Sequence, residues 1–185
     1  MPWFRKSQMD PLAVTMSGVK LGDRMLVVGG GDAPLTAALA GKAGLTGRAC
    51  VVEASDEATA RIAAEVERQG MLIESFTAPW TMLPFDPGAF DVVIIRNVLR
   101  ELDDTARMRA AVEVYRVLRP GGRAVVIEDT GRSGLGSLWR GEPVDPRYVR
   151  SGGATHVLEA AGFRGVRTLA EREGQLFVEG VKAAT

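Results

Sequence analysis

Short apolar runs alternate along the chain with segments that have helical spacing. The runs at residues 25–28, 49–53 and Phe90–Arg96 contain few polar interruptions, as is typical of strands buried on both faces. Between the second and third of these runs lies a helical segment at residues 56–69, and Ser55 before it is suited to an N-cap. This alternation predicts a parallel sheet covered by helices on both sides.

The pattern continues through the rest of the chain, with a short N-terminal helix near residues 9–19. Further strands are predicted at residues 71–77 and 123–128, and further helices at about 33–42, 104–118 and 154–161. Two last strands, 164–170 and 175–181, are close enough to form an antiparallel hairpin. The predicted fold class is therefore α/β, a three-layer α/β/α doubly wound, mostly parallel seven-stranded sheet with a C-terminal antiparallel hairpin.

Domain organisation follows from length and from one irregular stretch. At 185 residues and 46% hydrophobic, the chain is expected to form a single domain over residues 1–185. Residues 130–153 form a predicted loop that is long for a compact domain, and such loops are often lids or binding loops. We expect it to lie over the functional site, with residues 1–20 as an N-terminal lid or cap segment.

Charge and composition exclude several classes of function. Lys plus Arg number 23 and Asp plus Glu number 23, so the balance does not favour a nucleic-acid partner. Cys50 and His156 are the single residues of their types, which excludes a disulfide within the chain and argues against a metal site. The polar start and the lack of an apolar run of about 18 residues predict no signal peptide, no membrane span and a cytoplasmic location.

The first chemical signal is a glycine turn between the first strand and the helix that follows. Gly29, Gly30, Gly31 and Asp32 directly follow the apolar run. Glycine allows a sharp turn and a close approach to a ligand, and the first N–H groups of a helix favour polar or anionic groups. Glu53 ends the next strand, at a spacing suited to a carboxylate that accepts hydrogen bonds from ribose hydroxyls. Together these residues predict a nucleotide-type pocket.

Two further segments make the prediction more specific. Leu83-Pro84-Phe85 leads into the strand that ends in Arg96 and Asn97, and Arg119-Pro120-Gly121-Gly122 precedes the next strand. In this order and spacing the chain resembles the class I, seven-stranded S-adenosylmethionine-dependent methyltransferases, closest to the small-molecule branch that includes quinone C-methyltransferases. The resemblance covers roughly residues 18 to 129.

The resemblance implies S-adenosylmethionine as the cofactor, S-adenosylhomocysteine as its product and a small-molecule acceptor as the partner. Glu53 would hold the ribose, Ala54 would pack beside the adenine, and Pro79 and Trp80 would close over it. The glycine turn, Arg96 and Asn97 would border the methionine end. The implied cofactor-binding residues are Gly29, Gly30, Gly31, Asp32, Glu53, Ala54, Pro79, Trp80, Arg96 and Asn97.

Three positions depart from the usual pattern of this family. Val27 stands where an acidic residue is common, Ala33 replaces the third glycine, and Pro79 replaces an aspartate that accepts the adenine amino group. These departures leave open a non-catalytic binding or partner protein with a methyltransferase fold. The glycine turn and Glu53 leave a dinucleotide-binding enzyme as a further alternative. Asp32 and the Trp80 ring are candidate compensations.

No residue is assigned to catalysis, because the sulfonium is already a good leaving group and positioning can supply most of the acceleration. A general base, if the acceptor needs one, would be Glu128, Asp129 or Tyr148. Trp139 could wall an acceptor pocket, and four arginines of the long loop could attract an acidic acceptor. These are Arg132, Arg140, Arg147 and Arg150. Monomer and homodimer remain equally open.

Overall fold

The structure, a computed structural model, describes residues 11–130 and 145–184. The strands in this part are β1 (Arg24–Val28), β2 (Arg48–Glu53), β3 (Glu74–Thr77), β4 (Phe90–Arg96), β5 (Leu118–Asp129), β6 (Arg164–Arg172) and β7 (Gln175–Val181). The helices are α1 (Pro11–Ser17), α2 (Ala33–Ala43), α3 (Asp56–Arg68), α4 (Val98–Glu101), α5 (Asp104–Val117), α6 (Pro146–Arg150) and α7 (Gly153–Ala160).

The strands form one seven-stranded sheet in the order β3-β2-β1-β4-β5-β7-β6. β1 to β5 are parallel, whereas β7 pairs antiparallel with both β5 and β6. The predicted fold class is confirmed, including the C-terminal hairpin. Val28 of β1 pairs with Val52 and Ile95, so the carboxyl ends of β1, β2 and β4 meet at one edge of the sheet. We call this edge the carboxyl edge.

Apolar residues fill both faces of the sheet, which explains why its central strands read as continuous runs. Val28 and Val52 belong to one buried cluster together with residues of α5 and α7. Val27 and Val51 belong to the other, with residues of α2 and α3. Val27 is thus a core residue, 1% exposed. Where the family pattern commonly has an acidic residue, this chain has a buried apolar side chain.

Several predicted boundaries were wrong, each for a local reason. β3 begins at Glu74 rather than residue 71, because Met71 and Ile73 pack against the core without joining the ladder. β5 begins at Leu118, where that residue already pairs with Phe90, and an irregularity in register separates this pair from the rest of the ladder. The Pro-Gly-Gly segment predicted to precede the strand therefore lies within it.

Two helices were not predicted. α4 has four residues and α6 has five, so neither is long enough to show a helical period in the sequence. α6 lies inside the loop predicted at 130–153, and Tyr148 is consequently a helical residue rather than a loop residue. Cys50 is fully buried in the core, and burial raises the pKa of its thiol to about 12.

A lysine connects the end of β7 to the end of α5. Lys182 Nζ donates hydrogen bonds to the carbonyl oxygens of Tyr115 and Leu118, at 2.8 and 2.7 Å. Its ammonium group also lies 4.8 Å from the centre of the Tyr115 ring. A cation is favoured at this position because the last carbonyls of a helix lack partners within the helix.

Candidate functional site

The glycine turn lies at the carboxyl edge, between β1 and α2. Gly29, Gly30 and Gly31 have φ angles of 70°, 87° and 57°, a region that L side chains rarely adopt. The Gly29 N–H donates to the Val52 carbonyl at 2.9 Å, which joins the turn to β2. Asp32 then caps α2, with its Oδ1 atom accepting a hydrogen bond from the Leu35 N–H at 3.1 Å. The predicted turn and helix start are therefore present.

Side chains of other elements rest directly on this turn. A Cβ placed on Gly29 would lie 3.0 and 3.2 Å from the Cζ2 and Cε2 atoms of Trp80, and would overlap Val98. A Cβ on Gly30 would meet the Arg96 side chain, and one on Gly31 would lie 2.9 Å from Arg61 Nη2. Other side chains of the protein thus occupy the space that a side chain at each of these glycines would need.

Glu53, the last residue of β2, contacts the turn through its side chain. It is 3% exposed, and its Oε1 atom accepts a hydrogen bond from the Gly31 N–H at 3.0 Å. Burial raises the pKa of the Glu53 carboxyl, against the opposing effects of the Gly31 hydrogen bond and the Arg61 charge. No signal in the sequence indicated that Arg61 would lie at the site, because this residue is in the middle of an amphipathic helix and belongs to no recognisable motif.

The residues that flank Glu53 are more open. Ala54 is exposed, and Ser55 caps α3 by accepting a hydrogen bond from the Ala58 N–H at 3.3 Å, as predicted. Pro79 is exposed and begins a turn, its carbonyl accepting from the Met82 N–H at 2.9 Å. Ala54 and Pro79 therefore line the approach to the carboxyl edge rather than its buried part.

A network of ionic and amide groups lies at the ends of β4 and β5. Arg96 Nη2 donates to Asp129 Oδ1 at 2.9 Å, and its Nε atom lies 3.5 Å from Asp32 Oδ2. Asn97 has a φ of 60° and exchanges two 2.9 Å bonds with Asp129: its Nδ2 donates to Oδ2, and its Oδ1 accepts from the Asp129 N–H. Burial alone would raise the pKa of the Asp129 carboxyl. The hydrogen bond from Asn97 and the charge of Arg96 outweigh this effect, so the pKa lies below its ordinary value.

The three residues considered as general bases have different surroundings. Asp129 belongs to the network just described. Glu128 is 6% exposed and accepts a hydrogen bond from the Tyr148 hydroxyl at 2.8 Å, and burial raises the pKa of both groups. Tyr148 belongs to the apolar cluster that contains α5 and α7, and the Arg107 guanidinium lies 4.2 Å from its ring centre. The Tyr148 hydroxyl donates its hydrogen bond to Glu128, and its raised pKa disfavours the phenolate form that would act as a base.

The remaining predicted residues fall at the surface or outside the described part. His156 is an exposed residue of α7, and Arg147 and Arg150 are exposed on α6. Residues 1–10 of the proposed lid, the central part of the long loop, and Trp139, Arg132 and Arg140 lie outside the described residues. Among residues 11–130 and 145–184, no helix is long and apolar enough to cross a membrane.

The sheet order and the glycine turn define a Rossmann-like protein, a class of fold that binds its ligands at the carboxyl edge of the sheet. Residues 26–126 match the family model described as a methyltransferase domain, which is more than half of the chain. The protein belongs to this methyltransferase family. The resemblance read from the sequence is confirmed at the level of the family and of the fold.

Individual relatives agree with this assignment. The chain is 32% identical over 117 residues to a ubiquinone/menaquinone biosynthesis C-methyltransferase of Enterobacter sp. (strain 638), covering 62% of this chain and 46% of that protein. It is 35% identical over 124 residues to the chloroplastic 2-phytyl-1,4-beta-naphthoquinone methyltransferase of Arabidopsis thaliana, with 63% and 46% covered. The chain thus matches about half the length of these relatives.

A solved structure extends the likeness to nearly the whole fold. A SAM-dependent methyltransferase from Aquifex aeolicus superposes with a TM-score of 0.76 at 21% identity, covering 94% of this chain and 89% of that one. The architecture is therefore shared even where the sequences have diverged.

The residues at the carboxyl edge fit the cofactor of this family on several counts. The three glycines form a cradle, and Glu53 supplies a carboxylate beside it. Arg96 Nη1 and Trp80 Nε1 are buried N–H donors with no hydrogen-bond partner in the described part of the chain. Buried donors of this kind are usually paired, so Arg96 Nη1 is a candidate donor to a ligand at this edge, whereas Trp80 Nε1 is left unpaired by the present position of its ring. The Trp80 ring itself lies on the turn, so its position affects the access of a ligand to these glycines.

Proposed function

We propose that the protein transfers the methyl group of S-adenosylmethionine to a small-molecule acceptor. The observation that carries this proposal is the contact between the glycine turn and Glu53, whose Oε1 atom is 3.0 Å from the Gly31 nitrogen. It places a buried carboxylate beside a side-chain-free turn, as ribose recognition in this fold requires. Membership of the methyltransferase family selects this cofactor over a dinucleotide.

S-adenosylmethionine, when bound, supplies a methyl group on a sulfonium sulfur that leaves readily. The protein's own contribution would then be positioning, which can account for most of the acceleration in such a reaction. Glu53 would accept hydrogen bonds from the ribose hydroxyls. The Arg96–Asp129–Asn97 network would fix the end of β4 against β5, where the methionine end is expected to lie.

The acceptor is proposed from the relatives. Both are named for quinone-type molecules, and the family match over residues 26–126 includes Arg96 and Asn97 at the end of β4. We therefore propose an aromatic acceptor of the reduced-quinone kind, which carries ring carbons rich in electrons. A panel of naphthoquinols, benzoquinols and simple phenols, assayed for release of S-adenosylhomocysteine, would test this class. Turnover of non-aromatic acceptors alone would contradict it.

Substitution of Glu53 tests the cofactor site. Glu53→Gln keeps an oxygen that can accept the Gly31 hydrogen bond, but it removes the charge, and hydrogen bonds to charged groups are worth about 1.5–3 kcal/mol. We expect S-adenosylhomocysteine to bind at least about tenfold more weakly, as measured by titration calorimetry. Glu74→Gln, an exposed acid of β3 paired with Arg48, is the control and should bind normally.

The pH dependence of binding adds a second readout. Because burial raises the pKa of Glu53, its carboxyl in the free protein takes up a proton at a higher pH than an exposed glutamate does. Binding should strengthen as the pH rises through that pKa, and Glu53→Gln should lack this rise. If neither S-adenosylhomocysteine nor S-adenosylmethionine binds at 1 mM, or if NAD binds in preference, the proposed function is wrong.

A further inference from the structure

The Trp80 indole lies where a ligand would approach the glycine turn. Trp80 follows β3, whereas Gly29 follows β1, and β2 lies between these two strands in the sheet. The ring therefore reaches from the loop after β3 past the end of β2 to the loop after β1. Two atoms of its six-membered ring would lie 3.0 and 3.2 Å from a Cβ at Gly29, so the indole covers the side of this glycine where a side chain would stand.

A nucleoside bound at the carboxyl edge would have to approach the glycine turn. A glycine at this point of the fold allows the backbone to approach the ligand closely, because no Cβ stands between them. Here that space is bounded by Val98 of α4, whose Cγ2 atom is the nearest to a Cβ at Gly29, and by the indole beside it. Two groups cannot occupy one surface, so the ring and the ligand are mutually exclusive in this arrangement.

The indole is also incompletely satisfied where it lies. Trp80 packs against the apolar cluster that contains Val98, yet its Nε1 atom is buried without a hydrogen-bond partner in the described part of the chain. A buried tryptophan N–H normally finds a partner, and leaving one unpaired is costly. The residue as a whole is only half-buried, so the ring has a route towards solvent. This position is therefore one that the ring can leave.

We propose that the Trp80 indole occupies the nucleoside position on Gly29 in the ligand-free protein and must swing away before S-adenosylmethionine or S-adenosylhomocysteine binds. This inference rests on the proposed function, since it concerns the same site. Trp80 is then a positioning residue that sets the affinity of the cofactor. The sequence predicted the opposite role for this ring, that of closing over a bound adenine.

Removing the ring tests the proposal. When only a fraction of molecules is open, the apparent dissociation constant is raised by the inverse of that fraction, so a site closed in nine molecules of ten loses about tenfold. We expect Trp80→Ala to bind S-adenosylhomocysteine about tenfold more tightly than the natural protein. Trp80→Phe, which keeps an apolar ring of smaller reach, guards against loss of folding and should give an intermediate gain.

Met82→Ala is the matched control, because Met82 is 67% exposed in the same loop and does not rest on the turn. Thermal melting would establish that all variants are folded at the titration temperature. Unchanged affinity in Trp80→Ala and Trp80→Phe, or weaker binding in either, overturns the proposal while leaving the proposed function intact. Failure of every form, including Trp80→Ala, to bind S-adenosylhomocysteine overturns both.

Fluorescence supplies a readout that does not depend on activity. The chain has three tryptophans, and replacing Trp3 and Trp139 by phenylalanine leaves Trp80 as the single tryptophan, whose emission can be excited selectively. Saturation with S-adenosylhomocysteine should shift its emission to longer wavelengths as the indole leaves the apolar contact. An unchanged spectrum at saturation would mean that the ring stays on Gly29 and that the proposal is wrong.

Discussion

At the scale of single residues, the site depends on positions where a side chain is absent. Gly29 combines a positive φ of 70° with direct contact from Trp80 and Val98, so both its backbone and its surface require glycine. Gly70, after α3, has a similar φ of 75° but nothing within 4 Å of a Cβ. Substitutions at these two glycines therefore distinguish the free-energy cost of a left-handed backbone from the cost of steric crowding.

This pair gives a prediction on stability. Gly70→Ala should lower the free energy of unfolding by about 1–2 kcal/mol, the ordinary cost of a left-handed residue with a Cβ. Gly29→Ala should lose about 1–3 kcal/mol more, because the added methyl must displace Val98 or the indole. Urea unfolding followed by circular dichroism measures both. Equal losses in the two variants would show that the contacts on Gly29 are loose.

At the scale of elements, the connection between β7 and α5 makes a second prediction. Lys182→Met keeps the length of the side chain but leaves the Tyr115 and Leu118 carbonyls without their cation. A cation at a helix C-terminus contributes up to about 2 kcal/mol when partly buried, so we expect a loss of about 1–2 kcal/mol in urea unfolding. Lys42→Met, in the exposed last turn of α2, is the control. A loss as large in the control would contradict the specific role of Lys182.

The sequence predicted some helices and strands more accurately than others. β1, β2 and β4 were predicted within one residue because continuous apolar runs are a strong signal when both faces are buried. α4 and α6 were missed because single turns leave no period. At the site, the glycine turn and Glu53 were predictable from spacing, but the position of the Trp80 ring was not. A ring orientation depends on contacts between distant segments, which a local pattern does not encode.

At the scale of the whole molecule, stability should depend on pH through Glu128. Burial raises the pKa of this carboxyl, so the folded protein holds its proton more tightly than the unfolded chain does. The stabilisation that results is complete below the ordinary pKa of glutamate and is lost as the pH rises through the raised value. Relative to a neutral side chain at this position, Glu128 therefore contributes less to the stability of the fold as the pH rises towards neutrality.

Glu128→Gln removes this ionisation and keeps an oxygen for the Tyr148 hydroxyl. The melting temperature of the variant, relative to that of the natural protein, should rise between pH 4 and pH 8. Glu159→Gln, an exposed residue of α7, should show no such trend. Melting curves by differential scanning fluorimetry across this range would test it, and a constant or falling difference would contradict the assigned pKa direction.

The insertion of β7 between β5 and β6 has a consequence for synthesis. β5 carries the fully buried run Val125, Val126 and Ile127, and these residues pair with β7 residues roughly fifty positions later in the chain. Until β7 has left the ribosome, one edge of β5 is an open template for pairing with other chains. A nascent chain stalled before Gln175 should therefore be prone to aggregate or to be held by chaperones, whereas one that includes Val181 can close its own sheet.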